Sequence, residues 1–543
     1  MTDAFPPDLG LADLAKRLYE DAWGKVWPYK SSGKISIADI SPDKDVLKCA
    51  DGGDSVAPLA DGNVNAAASG EWAYTCLHNI KSVAIACGGP NMNVTVEDVL
   101  IIRDEYVYLR DAMESGCFAK TNAMVVTGHP GVGKTVFLLY LLLYRLEHRR
   151  PTAIQLSPSF AVIFNDKGAF ICPATAFQLL VGYWALVGLN EIPCDAFLES
   201  PRVRIIQSTG MPPNPGGWKN WLKQKYGKVI VSDLPRPLEI GAILKELRLR
   251  DYAQAYHYIS KWGPCTRTII EILREDPVFR ARIEQTLSRE ATAAAVTLCE
   301  DPTEVSCMHR LQHAHSISST LLFTRPYRSL PSAVLASSIP VSYIPTPYLA
   351  DIFNTHRHQL PKALAAAFVD LLTPRTVTKS FGGRSLEQDV HVSLCFRSAP
   401  LTIFRGQDSR TIKPARRLLA GTVDALADVK AYPSFYWLPP TSEFTGIDAV
   451  LADSENAYAI QATTADDHDS PVDGLQKVWM SFDRDVRTER AWHVVVISER
   501  EELARRYADV FADEVETITL GQEEIPVEVW GCVLPSLYGV WTD

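Results

Sequence analysis

The octapeptide Gly128-His129-Pro130-Gly131-Val132-Gly133-Lys134-Thr135 constrains this chain more than any other segment. It matches G-x-x-x-x-G-K-[ST], the phosphate-binding P-loop, and its flanks suit that motif. Ala123 to Thr127 before it is a short apolar run of strand type. Val136 to Leu146 after it is Leu-rich and free of Gly and Pro, hence of helix type. A strand, a glycine turn and a helix N-terminus aim backbone N–H groups at one point, where a phosphate can sit. Lys134 would reach the β- and γ-phosphates of a nucleotide, and the Thr135 hydroxyl would ligate Mg²⁺. ATP or GTP with Mg²⁺ is therefore the expected cofactor. The bland alternative is a glycine turn that only joins strand to helix.

The 543 residues have room for two or three domains, each with its own core. A composition 47% hydrophobic and 22% charged is ordinary for a soluble globular protein. The longest apolar run, Val136 to Tyr144, is too short to span a bilayer. The acidic N-terminus lacks the basic-then-apolar layout of a secretory signal. A soluble intracellular protein with no membrane partner is expected; a nuclear location is compatible, although no Lys/Arg-rich localisation run is present. The net charge of −10 gives no whole-molecule hint of nucleic-acid binding, which leaves only a regional basic patch to supply one.

Eleven cysteines without a repeated spacing read as reduced and mostly buried thiols. One grouping, Cys299, Cys307, His309, His313 and His315, invites a metal reading, because His309 and His313 could share a helix face. It lacks a C-x-x-C partner and regular spacing, so core thiols and surface histidines are the better reading.

Patterning divides the chain into residues 1–97, of no recognisable chemistry, a P-loop α/β domain over 98–273, a helical or mixed connector over 274–345, and a second α/β domain over 346–543. Amphipathic spacing predicts a helix over 12–27, a loop over 50–70 and a helix over 98–113. Strand-like runs then recur at the spacing of a parallel-type sheet: Pro151 to Leu156, Tyr183 to Val187, Val203 to Gln207 and Val229 to Ser232. Asn165 to Gly168 is a hairpin turn between Ala161 to Phe164 and Ala169 to Cys172. In the last domain, helices are expected over 360–372, 385–395 and 412–427, strands at Gly446 to Leu451, Ala457 to Thr463 and His493 to Ile497, and a helix over Arg500 to Phe511.

A nucleotide hydrolase needs a carboxylate for Mg²⁺ or its water, usually at the end of an apolar strand. Val229-Ile230-Val231-Ser232-Asp233 fits that pattern. The strand Tyr183 to Val187 is followed by Gly188, with Glu191 its nearest acid. Asp233 is favoured on pattern alone, against a turn residue ahead of Pro235 and Pro237. Ser208 and Thr209 end another strand, where a polar group can sense the γ-phosphate. Arg267 opens a helix and suits a sensor for that phosphate, because its guanidinium is always charged; a surface helix-start arginine is the alternative.

The second domain carries Asp448 in FTGIDAVL, then Gln461 and Thr463 in AYAIQAT, with Glu387 upstream. This is the layout of a PD-(D/E)xK nuclease core, in which an Asp and a D/E-x-K on neighbouring strands hold a metal and activate water. Asp448 would be the metal ligand. Gln461 brings no charge, and Thr463 cannot replace the lysine. On pattern alone an ordinary β-hairpin with a turn at Asp453 to Asn456 is favoured.

The whole arrangement resembles the Crinkler family and its retrotransposon-hot-spot-type relatives, through IIRDEY (101–106), GHPGVGKTVFLLYLLLYRL (128–146), RIIQSTGMP (204–212), WGPCTR (262–267), GGRSLEQDVH (382–391), FTGIDAVL (444–451) and AIQATTADDH (459–468). The resemblance spans residues 98 to 500. It implies a P-loop NTPase fused to a restriction-endonuclease-like domain, with Arg267, Glu387, Asp448 and Gln461 in catalytic roles. It puts the metal acid on the strand before Arg204 to Ser208, where Gly188 stands, and so places Asp233 beyond the sensor position. Nucleoside triphosphate and DNA are the implied partners; a homo-oligomer is compatible. A non-catalytic, nucleotide-gated scaffold is the alternative.

Overall fold

A computed structural model of the chain describes residues 10–41, 71–92, 96–114, 121–175, 180–188, 193–200, 202–209, 217–300, 319–326, 340–357, 386–396, 399–415, 417–420, 432–439, 446–463, 470–515, 519–520 and 523–534, with single positions 360, 365, 368, 369, 426, 429 and 444. It is a mixed α/β structure with parallel and antiparallel sheets. The expected loop at 50–70 lies outside the described residues.

Strands β1 (Lys30–Ser36), β2 (Glu71–His78) and β3 (Val99–Ile101) form an antiparallel sheet. β3 corrects the expected helix over 98–113: the buried run Val99, Leu100 and Ile101 pairs with β2, and the helix begins only at Asp104. The polar pair Arg103-Asp104 marks the change of period. The helix Leu11–Ala22 turns its buried face (Leu14, Ala15, Leu18, Ala22) into the same core as the helix Lys134–Glu147.

The central sheet contains β4 (Ala123–Thr127), β5 (Thr152–Gln155), β6 (Phe160–Asn165), β7 (Gly168–Pro173), β8 (Trp184–Val187), β9 (Arg204–Ser208) and β10 (Lys228–Val231). Their order is β10-β4-β9-β8-β5-β6-β7. The first five run parallel, and β6 and β7 add an antiparallel hairpin with Asn165 opposite Gly168. Four-residue strands buried throughout, such as TAIQ and WALV, are what a sheet covered on both faces demands. The helix Lys134–Glu147 is apolar almost all round for the same reason. Leu138, Leu139, Leu141, Leu142 and Leu146 are all fully buried, each contributing roughly 2 kcal/mol of transfer free energy. Because five strands are parallel, their carboxyl ends share one edge.

The connector begins with the long helix Pro277–Glu300 and continues into the antiparallel pair β11 (Phe323–Pro326) and β12 (Pro340–Tyr343). The Cys307, His309, His313 and His315 grouping lies outside the described residues, and Cys299 is buried. The described cysteines are all buried and free.

The C-terminal sheet comprises β13 (Leu401–Arg405), β14 (Asp408–Ile412), β15 (Leu418–Ala420), β16 (Phe435–Leu438), β17 (Ala449–Ala452), β18 (Asn456–Ala462), β19 (Ala491–Ser498) and β22 (Val527–Val533), with a separate small pair, β20 (Thr519–Leu520) and β21 (Glu523–Glu524). Its order is β14-β13-β22-β19-β18-β17-β16-β15. β17 and β18 form the expected hairpin, and β18, β19 and β22 run parallel. The helices Leu386–Phe396 and Glu501–Val515 agree with the sequence pattern. The helix expected over 412–427 is a correction: Ile412 ends β14 and residues 418–420 are strand, parallel to β16. Short strands flanked by charged residues imitate helical spacing there. Among the described residues, no helix is long and apolar enough to cross a membrane.

The helix Pro237–Glu246 lies against the N-terminal sheet, and a Cβ on its Gly241 would stand 2.5 Å from Ile40 Cγ2 and 3.0 Å from Ile35 Cδ1. Gly241→Val should therefore destabilise the protein by about 1–3 kcal/mol despite removing a helix glycine. A urea midpoint that stays fixed or rises would contradict this packing.

Candidate functional site

The carboxyl edge of the central sheet gathers the ends of β4, β9, β8, β5 and β10. From β4 the chain enters the glycine loop, in which Gly128, Gly131 and Gly133 all have positive φ. Gly131 shows why a side chain is excluded: its Cβ would lie 2.7 Å from Cys265 Sγ and 3.0 Å from Arg267 Cβ. The WGPCTR segment is thus seated against the loop, and Cys265 Sγ donates to the Pro130 carbonyl at 3.5 Å.

Lys134 is buried and turned back on its own loop, donating from Nζ to the carbonyls of Gly128 and His129 at 2.8 Å each. Burial, and then the Arg267 charge, push its pKa down to about 7. Arg267 itself is exposed, in the first turn of the helix Thr266–Arg274. Lys134 and Arg267 therefore meet at a loop of left-handed glycines, where the guanidinium disfavours the charged form of the lysine. Thr135, in the first turn of the loop helix, is half-buried. Ser208, at the end of β9 opposite Val126, is fully buried, and its Oγ has no hydrogen-bond partner.

The metal acid is where the sequence is least regular. β8 ends opposite Gln155 and Gln207, and the following Gly188 donates its N–H to the Gln155 carbonyl at 2.7 Å. Glu191 lies outside the described residues. Asp233 follows β10, on the other side of β4 from β8. Its Oδ1 accepts the Leu234 N–H at 2.8 Å, and its Oδ2 lies 3.5 Å from Arg325 of β11. Its surroundings are those of a turn residue tied to the connector.

Three residues of IIRDEY brace the loop, a role the sequence reading did not assign. Arg103 and Glu239 form a buried ion pair, Nε to Oε2 at 3.1 Å. Arg103 also donates from Nη1 to the Val132 carbonyl (2.8 Å) and from Nη2 to the Asp233 carbonyl (3.1 Å). Burial opposes the guanidinium charge, but Glu239, Tyr106 and Glu105 outweigh it, so its pKa stands above the ordinary value. Glu105 accepts the Asp233 N–H at 3.0 Å, and Tyr106 donates to the Gly133 carbonyl at 3.0 Å. The available signal was the mixture of charges inside an apolar run. On the outer side, His129 stacks on Phe323 of β11, centroids 4.0 Å apart. Burial, then the Lys134 charge, push its pKa down to about 3, so the imidazole in the stack is neutral.

In the C-terminal sheet, Asp448 and Gln461 come together across the β17–β18 hairpin. Asp448 donates its N–H to the Ile460 carbonyl at 2.8 Å, and its Oδ2 accepts the Ala462 N–H at 2.7 Å. Gln461 is fully buried, and Thr463 closes the strand against Ile497. Glu387, on the helix Leu386–Phe396, stands 3.7 Å from Nε2 of His391, whose Nδ1 meets the Tyr436 hydroxyl at 2.8 Å. Burial first, then the charges of Cys395, Asp448 and Glu387, hold the Tyr436 phenol well above its ordinary pKa. Glu387 and Asp448 thus act on one buried phenol. His391 and Tyr436 were missed; the i,i+4 spacing of Glu387 and His391 was the available signal. His468, which ends the AIQATTADDH segment of the resemblance, lies outside the described residues.

Removing one partner of the Arg103–Glu239 pair strands a buried charge, so Arg103→Met should cost about 3–5 kcal/mol. Arg103→Met with Glu239→Leu should recover part of that loss. Chemical denaturation of the two variants checks this, and equal losses in both would contradict the pairing.

No protein-family model matches this sequence, and no curated protein matches it.

Proposed function

We propose that the protein binds a nucleoside triphosphate at Gly128 to Thr135 and that nucleotide occupancy controls a nuclease-like, nucleic-acid-directed C-terminal domain. The observation that carries the reading is the convergence of Lys134 and Arg267 on a loop whose Gly131 has no room for a side chain. The strand order, with the loop strand β4 between β10 and β9, supports a P-loop NTPase fold. ATP or GTP fits this cradle: the loop N–H groups and Lys134 would hold its phosphates, Arg267 and Ser208 would face them, and Thr135 would hold Mg²⁺. When bound, Mg²⁺ would neutralise phosphate charge. The sheet of β16 to β19 with Glu387, Asp448 and Gln461 supports a restriction-endonuclease-like reading of the second domain, in the manner of Crinkler-type proteins. DNA is its proposed substrate.

A second reading is favoured by specific residues. Gly188 follows β8 where an acid would hold Mg²⁺, and Gln461 and Thr463 replace the charged pair of a nuclease strand. These support a nucleotide-gated binding protein without turnover. Phosphate release from ATP and GTP, with and without DNA, separates the two. Tight binding without turnover supports the gated reading, and Mg²⁺-dependent turnover supports the NTPase. Metal-dependent DNA cleavage that survives Glu387→Ala with Asp448→Ala would refute the nuclease assignment.

A contact between a charged group and a phosphate is worth about 1.5–3 kcal/mol. Lys134→Ala should therefore weaken Mg-nucleotide binding roughly 10–150-fold, and unchanged affinity would refute the site. A bound phosphate reverses the depression of the Lys134 pKa, because it supplies the opposite charge. Above about pH 7 the free lysine is neutral and the bound one protonated, so binding takes up a proton. Affinity should then fall as pH rises above that point, by up to about tenfold per unit. Calorimetry at pH 8 in buffers of different ionisation heat should read this uptake in the wild type and lose it in Lys134→Ala. No uptake in the wild type would contradict the assignment.

A further inference from the structure

The N-terminal sheet carries a cluster that the nucleotide reading does not use. Strand alternation places Tyr74, Cys76 and His78 of β2 on one face, and the helix Pro237–Glu246 ends against that face with Glu246. The Cys76 Sγ, a ring nitrogen of His78 and a carboxylate oxygen of Glu246 all lie within 4.8 Å of one another. His78 Nε2 and Glu246 Oε2 are already 3.7 Å apart. A tetrahedral zinc ion with bonds of about 2.0–2.3 Å separates its ligand atoms by roughly 3.3–3.6 Å, so closure needs only side-chain adjustment.

The surroundings hold these groups in ligand-like poses. The Tyr74 hydroxyl donates to Glu246 Oε1 at 2.7 Å, leaving Oε2 facing His78. The His78 backbone is fixed on both sides: its N–H donates to Tyr29 O at 2.8 Å, and its carbonyl accepts Trp27 Nε1–H at 2.9 Å. His78 Nε2 also shares a hydrogen bond with Ser31 Oγ at 2.7 Å, which an ion on that nitrogen would displace. Cys76 is buried, whereas His78 and Glu246 are partly exposed, so an ion could arrive from their side.

We propose that Cys76, His78 and Glu246 form a site for a divalent transition ion, zinc by its ligand set of one thiolate, one imidazole and one carboxylate. Such a mixture suits zinc better than the all-oxygen sets of Mg²⁺ or Ca²⁺. The Cys76 thiol proton leaves to solvent on binding, and the hydrogen bond between Tyr74 and Glu246 becomes the outer-shell support of the carboxylate. The ion would fasten β2 to the C-terminal end of a helix whose first turn supplies Glu239 to the glycine-loop brace.

Co²⁺ titration of the full chain after chelator treatment tests this, because a cobalt-bound thiolate has its own charge-transfer absorption. One equivalent should bind with that absorption, and Zn²⁺ should displace it. Cys76→Ser, which keeps the buried volume, should abolish the band, and His78→Gln should weaken binding by about tenfold or more. Tyr74→Phe, which changes no ligand, should weaken it by about 10–100-fold while the far-ultraviolet circular dichroism stays that of the wild type. A wild type without the thiolate band, or a band that survives Cys76→Ser, would overturn the proposal.

Discussion

The buried pair of Arg103 and Glu239 is the interaction on which the candidate nucleotide site depends. Two full charges held almost out of water are costly unless every remaining donor and acceptor is used. Here they are spent on the backbone of the loop and of the segments that follow β10 and β3: Arg103 reaches the Val132 and Asp233 carbonyls, and Glu239 also accepts the N–H groups of Asp104 and Arg236. The glycine loop is therefore not shaped by its glycines alone. Glycine allows its conformation, and the guanidinium fixes it from behind. Glu239 brings the helix Pro237–Glu246 and, through that helix, the N-terminal sheet into the same structure.

On the opposite side the loop touches the connector. His129 stacks on Phe323, and Arg325 faces Asp233. From β12 the chain enters the helix Pro347–His356. Its N-cap Thr346 donates to the Lys261 carbonyl, and its Asn354 bonds both backbone groups of Leu418 at the edge of the C-terminal sheet. Contacts thus run without interruption from the glycine loop to β15. They would be the physical route for the proposed nucleotide control of the second domain.

Much of this was legible in the sequence where a local rule decides the structure. The strand–loop–helix around Lys134, the Asn165 to Gly168 hairpin and the β17–β18 pair each depend on turn chemistry and periodicity over a few residues. What was not legible depends on partners distant in sequence. Nothing near Arg103 announces Glu239, which is 136 residues away. The strand nature of Val99 to Ile101 comes from β2, and that of residues 418–420 from β16, not from their own spacing. The Tyr436 and His391 contact has the same character: it exists only once β16 lies under the helix Leu386–Phe396. For Asp233 the pattern alone does not decide, because an acid after an apolar strand looks alike on any strand, and only the order β10-β4-β9-β8 shows which side of the loop it occupies.

The proposed site seats a nucleotide's phosphates on the loop between Lys134 and Arg267. Amide hydrogen exchange with and without Mg-ATP or Mg-GTP tests it directly. A nucleotide seated there should bring new protection over residues 128–135, with a smaller change at 263–267 and in the β11 segment that carries Phe323. Binding accompanied by protection elsewhere, with the loop amides unchanged, would contradict it.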